Sequence, residues 1–105
     1  METEKQLQNY IQRQCKERHI RCYKMHCEGK TGFPDLLLVS NGYTLFIEVK
    51  SPTKNGRLST NQVRLLRELD IEEQDTRVVD SKEDAAAIIE KFDDLRPRLR
   101  SIPTF

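Results

Sequence analysis

The chain has 105 residues, of which 33% are charged and 36% hydrophobic, and its net charge is +1. This length predicts a single domain over residues 1–105 and excludes a multidomain enzyme. No apolar run approaches the roughly 18 residues that a membrane-crossing helix needs. Residues 1–6 lack the apolar stretch of a signal peptide, so we expect an intracellular, cytoplasmic protein with no membrane partner.

The charge is unevenly distributed along the chain. Residues 68–94 contain eleven acids and three bases, whereas the remainder contains fifteen bases and six acids. A basic sector of this kind suits a partner with a phosphate backbone, although an ordinary surface of paired charges fits the same count.

Three cysteines, Cys15, Cys22 and Cys27, make an odd number that favours reduced thiols over a disulfide framework. With His19 and His26 they include the residue types of a zinc site, but their spacing contains no CxxC pair. We therefore expect free cysteines, with structural zinc as the alternative.

The first predicted element is an amphipathic helix over residues 3–18, with a capping box formed by Thr3 and Gln6. Residues 20–27 alternate as a strand does. Two short apolar runs, 36–39 and 43–47, flank the sequence Ser40-Asn41-Gly42, and Asn-Gly between such runs predicts a β-hairpin. Both faces of the hairpin are apolar, so we expect the sheet to be covered on both sides.

A second capping box, Ser59 to Gln62, opens a helix, and residues 76–79 form a short strand. Ser81 caps a third helix over residues 82–92, and residues 96–105 form a basic, irregular tail. The order is α-β-β-β-α-β-α, and a crossover through the second helix makes the last strand a parallel neighbour. The expected fold is α/β, a mixed central sheet flanked by helices.

The hairpin also brings charged residues together. If Asn41 and Gly42 form the turn, Asp35 lies opposite Glu48, with Cβ atoms roughly 5 Å apart. Like charges at that distance destabilise a sheet unless a cation lies between them, and Mg²⁺ prefers carboxylate oxygens. Lys50 shares their face. The alternative is solvated charges at strand ends, and a register slip of one residue would separate the two acids.

These residues carry a resemblance to a known family. The order of elements, with Pro34-Asp35 and Glu48-Val49-Lys50 on adjacent strands, resembles the PD-(D/E)xK nuclease superfamily and its restriction-endonuclease-like αβββαβ core. The segments 32–36, 46–52, 57–59 with Gln62, and 78–81 look like the virus-type replication-repair nuclease (VRR-NUC) domain. The similarity extends over roughly residues 4–92.

The resemblance implies a set of site residues. Asp35, Glu48 and the backbone carbonyl of Val49 would bind Mg²⁺ or Mn²⁺, and Lys50 would orient the attacking water or steady the phosphate. Glu4 would add to the metal shell. Gln62 would lie near the active centre as a further catalytic residue. For Glu4 and Gln62 the alternative is local, because first-turn acids and capping-box glutamines stabilise helices.

The implied activity is metal-dependent hydrolysis of DNA phosphodiesters to a 5′-phosphate and a 3′-hydroxyl. Stand-alone members of this branch resemble Holliday-junction resolvases of DNA repair that act as homodimers, and they suggest a bacterial or viral origin. A domain this small has no evident sequence reader, so we expect shape and backbone recognition. A flap- or RNA-directed nuclease and a non-catalytic nucleic-acid-binding module are the alternatives. The resemblance also implies that Lys24 lies on a strand and faces the same cleft as the acids, with a plain surface charge as the alternative. Further candidates for backbone contacts are Lys30, Lys54, Arg57, Arg64 and Arg67. Arg96, Arg98 and Arg100 of the tail are candidates too, with a solvated tail as the alternative.

Overall fold

The computed structural model describes residues 3–40, 42–51 and 57–94, apart from the side chains of residues 93 and 94. The elements in chain order are α1 (Glu4–Glu17), β1 (Arg21–Lys24), β2 (Leu36–Ser40), β3 (Tyr43–Val49), α2 (Thr60–Ile71), β4 (Thr76–Val79) and α3 (Lys82–Asp94). This confirms the predicted order. The predictions for Asn41, Lys54 and the tail fall outside the described residues.

The four strands form one sheet in the order β1-β2-β3-β4. The strands β1, β2 and β3 pair antiparallel, and β4 pairs parallel with β3. A parallel neighbour requires a crossover connection, and α2 lies within it. The mixed sheet flanked by helices is therefore confirmed. None of the described helices is both long and apolar enough to cross a membrane.

The hairpin has the predicted register. Ser40 lies opposite Tyr43, and Leu36 lies opposite Ile47 at the far end. Gly42 has a φ of +89°, a conformation that glycine adopts without strain and that tight hairpin turns require. Continuing this register by one residue beyond β2 places Asp35 opposite Glu48.

The first strand is shorter than predicted. It covers Arg21–Lys24 rather than residues 20–27. Its last pair is Lys24 with Leu36, the first residue of β2, so the ladder ends where its partner strand begins. One further hydrogen bond, from the amide of Met25 to the carbonyl of Asp35 at 2.7 Å, joins the two segments just beyond the end of the paired strands.

Only one face of the sheet is fully buried, which corrects the expectation of a sheet covered on both sides. The helices α1 and α3 pack over one face, and the core there consists mainly of Leu7, Ile11, Leu36, Leu38, Ile47, Val49, Val79 and Ile89. On the other face Leu37 and Phe46 are half-buried, and the side chains of Tyr23 and Val78 are 48% and 41% exposed. The difference arises because α2 packs against β4, at one edge of the sheet.

Candidate active site

Asp35 is held in place from three directions. The preceding residue, Pro34, is fully buried. The backbone carbonyl of Asp35 accepts the bond from Met25, and its side-chain Oδ2 accepts a 2.8 Å hydrogen bond from the amide of Val49. These contacts fix the carboxylate of Asp35 beside Val49, the last residue of β3.

Glu48 is a buried acid on β3, with only 2% of its surface exposed. Its Oε1 accepts a 2.8 Å hydrogen bond from Nε2 of Gln62. Its Oε2 is buried and has no hydrogen-bond partner among the described residues. An unsatisfied buried oxygen costs free energy, and native structures contain few of them.

The surroundings of Glu48 also change its acidity. Burial, then the neighbouring carboxylate of Asp35 and, to a smaller extent, that of Glu4 together raise the pKa of Glu48 to about 8. The ammonium of Lys50 lowers the pKa of Glu48 and only partly offsets these effects. The negative charge of the acids around Glu48 is therefore only partly neutralised by Lys50.

Lys50 follows Glu48 on the same face of the sheet. Its Nζ donates a 2.7 Å hydrogen bond to Oε1 of Gln62 and lies 3.9 Å from Oε1 of Glu48. The amide of Gln62 therefore bridges the acid and the amine, donating to one and accepting from the other.

The side-chain amide of Gln62 also caps the N-terminal end of α2. The backbone N–H of Ser59 donates to the side-chain Oε1 of Gln62 at 2.8 Å, and the backbone N–H of Gln62 donates to Oγ of Ser59 at 3.1 Å. This is the reciprocal capping box predicted from the sequence. Capping and contact with the candidate site were alternatives for Gln62, and the side chain makes both sets of bonds.

Glu4 lies in the first turn of α1 and is exposed. Its Oε1 accepts a 3.3 Å hydrogen bond from the amide of Ser51, just beyond the end of β3. Together with the effect of its charge on Glu48, this contact places Glu4 at the periphery of the site.

The basic residues predicted to contact DNA are spread over the surface. Lys24 is exposed and in register with Leu36, which puts it on the sheet face opposite that of Glu48 rather than in the same cleft. Lys30, Arg57, Arg64 and Arg67 are exposed. Their contacts with DNA stay predictions, and Lys54, Arg96, Arg98 and Arg100 lie outside the described residues.

The cysteines do not form a metal site. Within residues 3–40, 42–51 and 57–94, no three His, Cys, Asp or Glu side chains come together as metal ligands. Cys15, Cys22 and Cys27 are free, as predicted. A hydrogen bond between Cys15 and Cys22 raises the pKa of the buried Cys15 and lowers the pKa of Cys22.

Comparison with known proteins decides the family. The family model for the VRR-NUC domain matches residues 1–83. The chain belongs to the VRR-NUC family of nuclease domains. A solved structure of a VRR_NUC domain superposes with a TM-score of 0.75 at 25% identity, covering 87% of this chain and 99% of its own. A solved VRR_NUC domain protein has a TM-score of 0.74 at 19% identity, covering 90% of each chain, and shares the fold. A comparison with curated protein sequences gives no match.

The sequence of this VRR-NUC domain gave no indication of a series of hydrogen bonds beside the site, which links Thr31, Asn61 and Arg64. Nδ2 of Asn61 donates to Oγ1 of Thr31 at 2.7 Å, and Nη2 of Arg64 donates to Oδ1 of Asn61 at 2.6 Å. These bonds join the loop before Asp35 to the first turns of α2. Residues 31 and 61 are far apart in sequence, and no local pattern indicates that they meet.

Proposed function

We propose that this VRR-NUC domain is a metal-dependent, structure-selective DNA endonuclease. The observation that carries the proposal is the buried Oε2 of Glu48, which lies near the carboxylate of Asp35 and has no hydrogen-bond partner in the part of the chain that the structure describes. A divalent cation would give this oxygen a partner and offset the repulsion between the two acids. The divalent-metal dependence typical of nuclease families of this kind agrees with that requirement.

The residues that would hold the cation are Asp35, Glu48 and the backbone carbonyl of Val49, all oxygen donors of the kind that Mg²⁺ and Mn²⁺ accept. Since these supply only two carboxylates, waters and substrate oxygens would complete the shell, and Glu4 would add to it through water. When bound, such an ion polarises a phosphodiester and lowers the pKa of a coordinated water.

The protein's own contribution is positioning and charge. Lys50 provides a fixed positive charge beside Glu48, where negative charge develops on a phosphate under attack. Its Nζ is directed by the bond to Gln62, so the ammonium is already oriented before substrate arrives. Gln62 also fixes Oε1 of Glu48, leaving Oε2 as the oxygen available to a cation.

The main rival is a non-catalytic module that uses the same fold to bind nucleic acid. Binding a phosphate backbone requires cations, and two apposed carboxylates weaken it. A module that only binds nucleic acid gains nothing from a buried acid whose Oε2 lacks a partner within the described residues. The intact arrangement of Asp35, Glu48 and Lys50 therefore favours an enzyme.

We further propose that the substrate is branched DNA, with a four-way junction as the first candidate, cut in the course of DNA repair. Paired nicks in a junction require two active sites, which a twofold homodimer supplies. Flaps or RNA as substrates remain outcomes of the experiment below.

The test is a cleavage panel of labelled four-way junctions, flaps, duplex and single strands, each as DNA and RNA, with Mg²⁺, Mn²⁺ or chelator. We expect cutting of the junction with either metal and none with chelator. Asp35→Ala, Glu48→Ala and Lys50→Ala should abolish cutting while folding and DNA binding persist. Cutting that survives in Asp35→Ala would reject the assignment of the site.

The dimer is tested separately by analytical ultracentrifugation of the protein with and without junction. A dimer at working concentration, with coordinated cuts on opposite strands, is the expected result. A monomer that nicks one strand only would leave the nuclease in place and reject paired resolution.

A further inference from the structure

We infer that Gly32 is a positioning residue for the site, a role that rests on the proposed nuclease function. Gly32 has a φ of +89°. A Cβ atom added there would lie 2.6 Å from the carbonyl carbon of Asn61, 2.7 Å from the amide nitrogen of Gln62 and 2.8 Å from the carbonyl oxygen of Asn61. No real side chain tolerates such distances to backbone atoms, so only glycine lets these two segments touch.

The backbone touched by Gly32 belongs to the first turn of α2. The peptide between Asn61 and Gln62 packs directly on the glycine, and the bond from Asn61 to Thr31 holds the neighbouring residue of the same loop. The loop before Asp35 therefore sets how close the N-terminal end of α2 can come to the sheet.

That distance determines where Gln62 lies. Its side chain reaches Glu48 and Lys50 with hydrogen bonds of 2.8 and 2.7 Å. Hydrogen bonds lengthened by several tenths of an ångström weaken or break. Moving α2 outward to make room for a methyl group at residue 32 would thus release both the acid and the amine that Gln62 aligns.

Two other glycines provide matched controls. Gly42 has the same φ of +89°, and Gly29, in the same loop region as Gly32, has a φ of +78°. A Cβ atom at either position meets nothing within 4 Å. Alanine at Gly42 or Gly29 therefore carries the backbone strain of a left-handed residue without the collision.

The experiment compares Gly32→Ala with Gly42→Ala and Gly29→Ala by two readouts, at a temperature where all three are folded. The first is the NMR resonance of the Gln62 side-chain amide in metal-free protein. The second is single-turnover cleavage of a four-way junction with Mn²⁺. We expect the Gln62 resonance to move toward that of an unbonded amide in Gly32→Ala only. We also expect its cleavage to fall about 10- to 100-fold, the size typical of misplaced catalytic groups.

A double-mutant cycle then asks whether the loss passes through Gln62. If it does, Gly32→Ala adds little to Gln62→Ala, whereas independent effects would multiply. An unchanged Gln62 resonance in Gly32→Ala, equal losses in all three glycine variants, or multiplied losses in the double mutant would each overturn the inference.

If Gly32→Ala does not fold, Thr31→Val removes the bond to Asn61 without a collision. A shifted Gln62 resonance in that variant supports the inference, and an unmoved one contradicts it. Absence of cleavage by the wild type would refute the proposed nuclease, yet the resonance would still report whether Gly32 positions Gln62. The two failures are therefore distinguishable.

Discussion

Glu48 lies in an unfavourable environment for a carboxylate, because it is buried near Asp35 and one of its oxygens has no partner among residues 3–40, 42–51 and 57–94. Its pKa of about 8, against an ordinary 4.5, means that the metal-free fold favours the protonated acid. Folding with this residue ionised costs free energy, and a cation that binds the ionised form would recover it. The stability of the protein is therefore a readout of the site, independent of any substrate.

The first prediction concerns stability against pH in the presence of chelator. Because the folded-state pKa of Glu48 is raised, its contribution is fully present below about pH 4.5 and is lost as pH rises through about 8. The free energy of unfolding of the wild type minus that of Glu48→Gln should fall by roughly 2–4 kcal/mol over this window. Urea unfolding of both proteins at several pH values measures the difference. A difference that does not change with pH would contradict the account.

The second prediction separates the two tasks of Gln62. Gln6 occupies the same position in the capping box of α1, where the amide of Thr3 donates to its Oε1 at 2.9 Å. Gln6→Ala should lower stability by about 1 kcal/mol or less, the range for loss of a cap interaction. Gln62→Ala should lower it by more, because it also removes the hydrogen bond to the buried Oε1 of Glu48. Only Gln62→Ala should slow cleavage, by about tenfold or more, since only Gln62 bonds to Glu48 and Lys50. Equal cleavage rates for the two variants would reduce Gln62 to a helix cap.

At the scale of elements, the parts specified by local sequence were the predictable ones. Ser40-Asn41-Gly42 indicated the hairpin and its register, and both capping boxes began helices where expected. The length of β1 was not predictable in this way, because it is set by where β2 begins. The partial cover of the second sheet face depends on how α2 docks, which no periodicity within one strand reveals.

The same logic applies to the site. Asp35, Glu48 and Lys50 could be placed together because a two-residue turn fixes the pairing of the strands around it. The contact of Gly32 with Asn61 joins segments about 30 residues apart. The hydrogen bond of Gln62 to Glu48 joins two different elements, α2 and β3. Such contacts result from tertiary packing, so the spacing of residues along the chain does not predict them.

The third prediction tests the unequal cover of the sheet with two neighbouring leucines of β2. Leu38 is fully buried against α1 and α3, and Leu37 is half-buried on the other face. Leu38→Ala should lower the free energy of unfolding by about 2–5 kcal/mol, and Leu37→Ala by clearly less, because less apolar surface is lost there. Chemical unfolding at low protein concentration makes the comparison. Equal costs would mean that something covers the second face in solution.

At the scale of the whole molecule, charge separates along the chain. The acidic residues concentrate in 68–94, a range that begins within α2 and extends through β4 and α3. The site and the predicted DNA contacts lie in the basic remainder. A polyanion should thus approach from the side of the site and be repelled from the region of β4 and α3.

The fourth prediction follows from this asymmetry. Binding of a four-way junction by the Glu48→Gln variant should weaken as salt rises, with a slope that reports the number of phosphates contacted. Arg64→Gln should reduce that slope by about one, the contribution of one phosphate contact. Arg77→Gln, an exposed arginine on β4 in the acidic range, should leave the slope unchanged. Fluorescence anisotropy over a salt series measures both, and equal slopes for the two variants would remove Arg64 from the interface.

The most direct test of the account is single-turnover cleavage of an end-labelled four-way junction by wild type and Glu48→Gln, with Mn²⁺ in excess. The substitution keeps the size of the side chain and its contact with Gln62, but it removes the charge that would bind a cation. We predict that the wild type cuts the junction and that the variant, folded and bound to DNA, cuts it at least about 100-fold more slowly. Cleavage by Glu48→Gln at the wild-type rate would show that the buried acid is not part of the catalytic site.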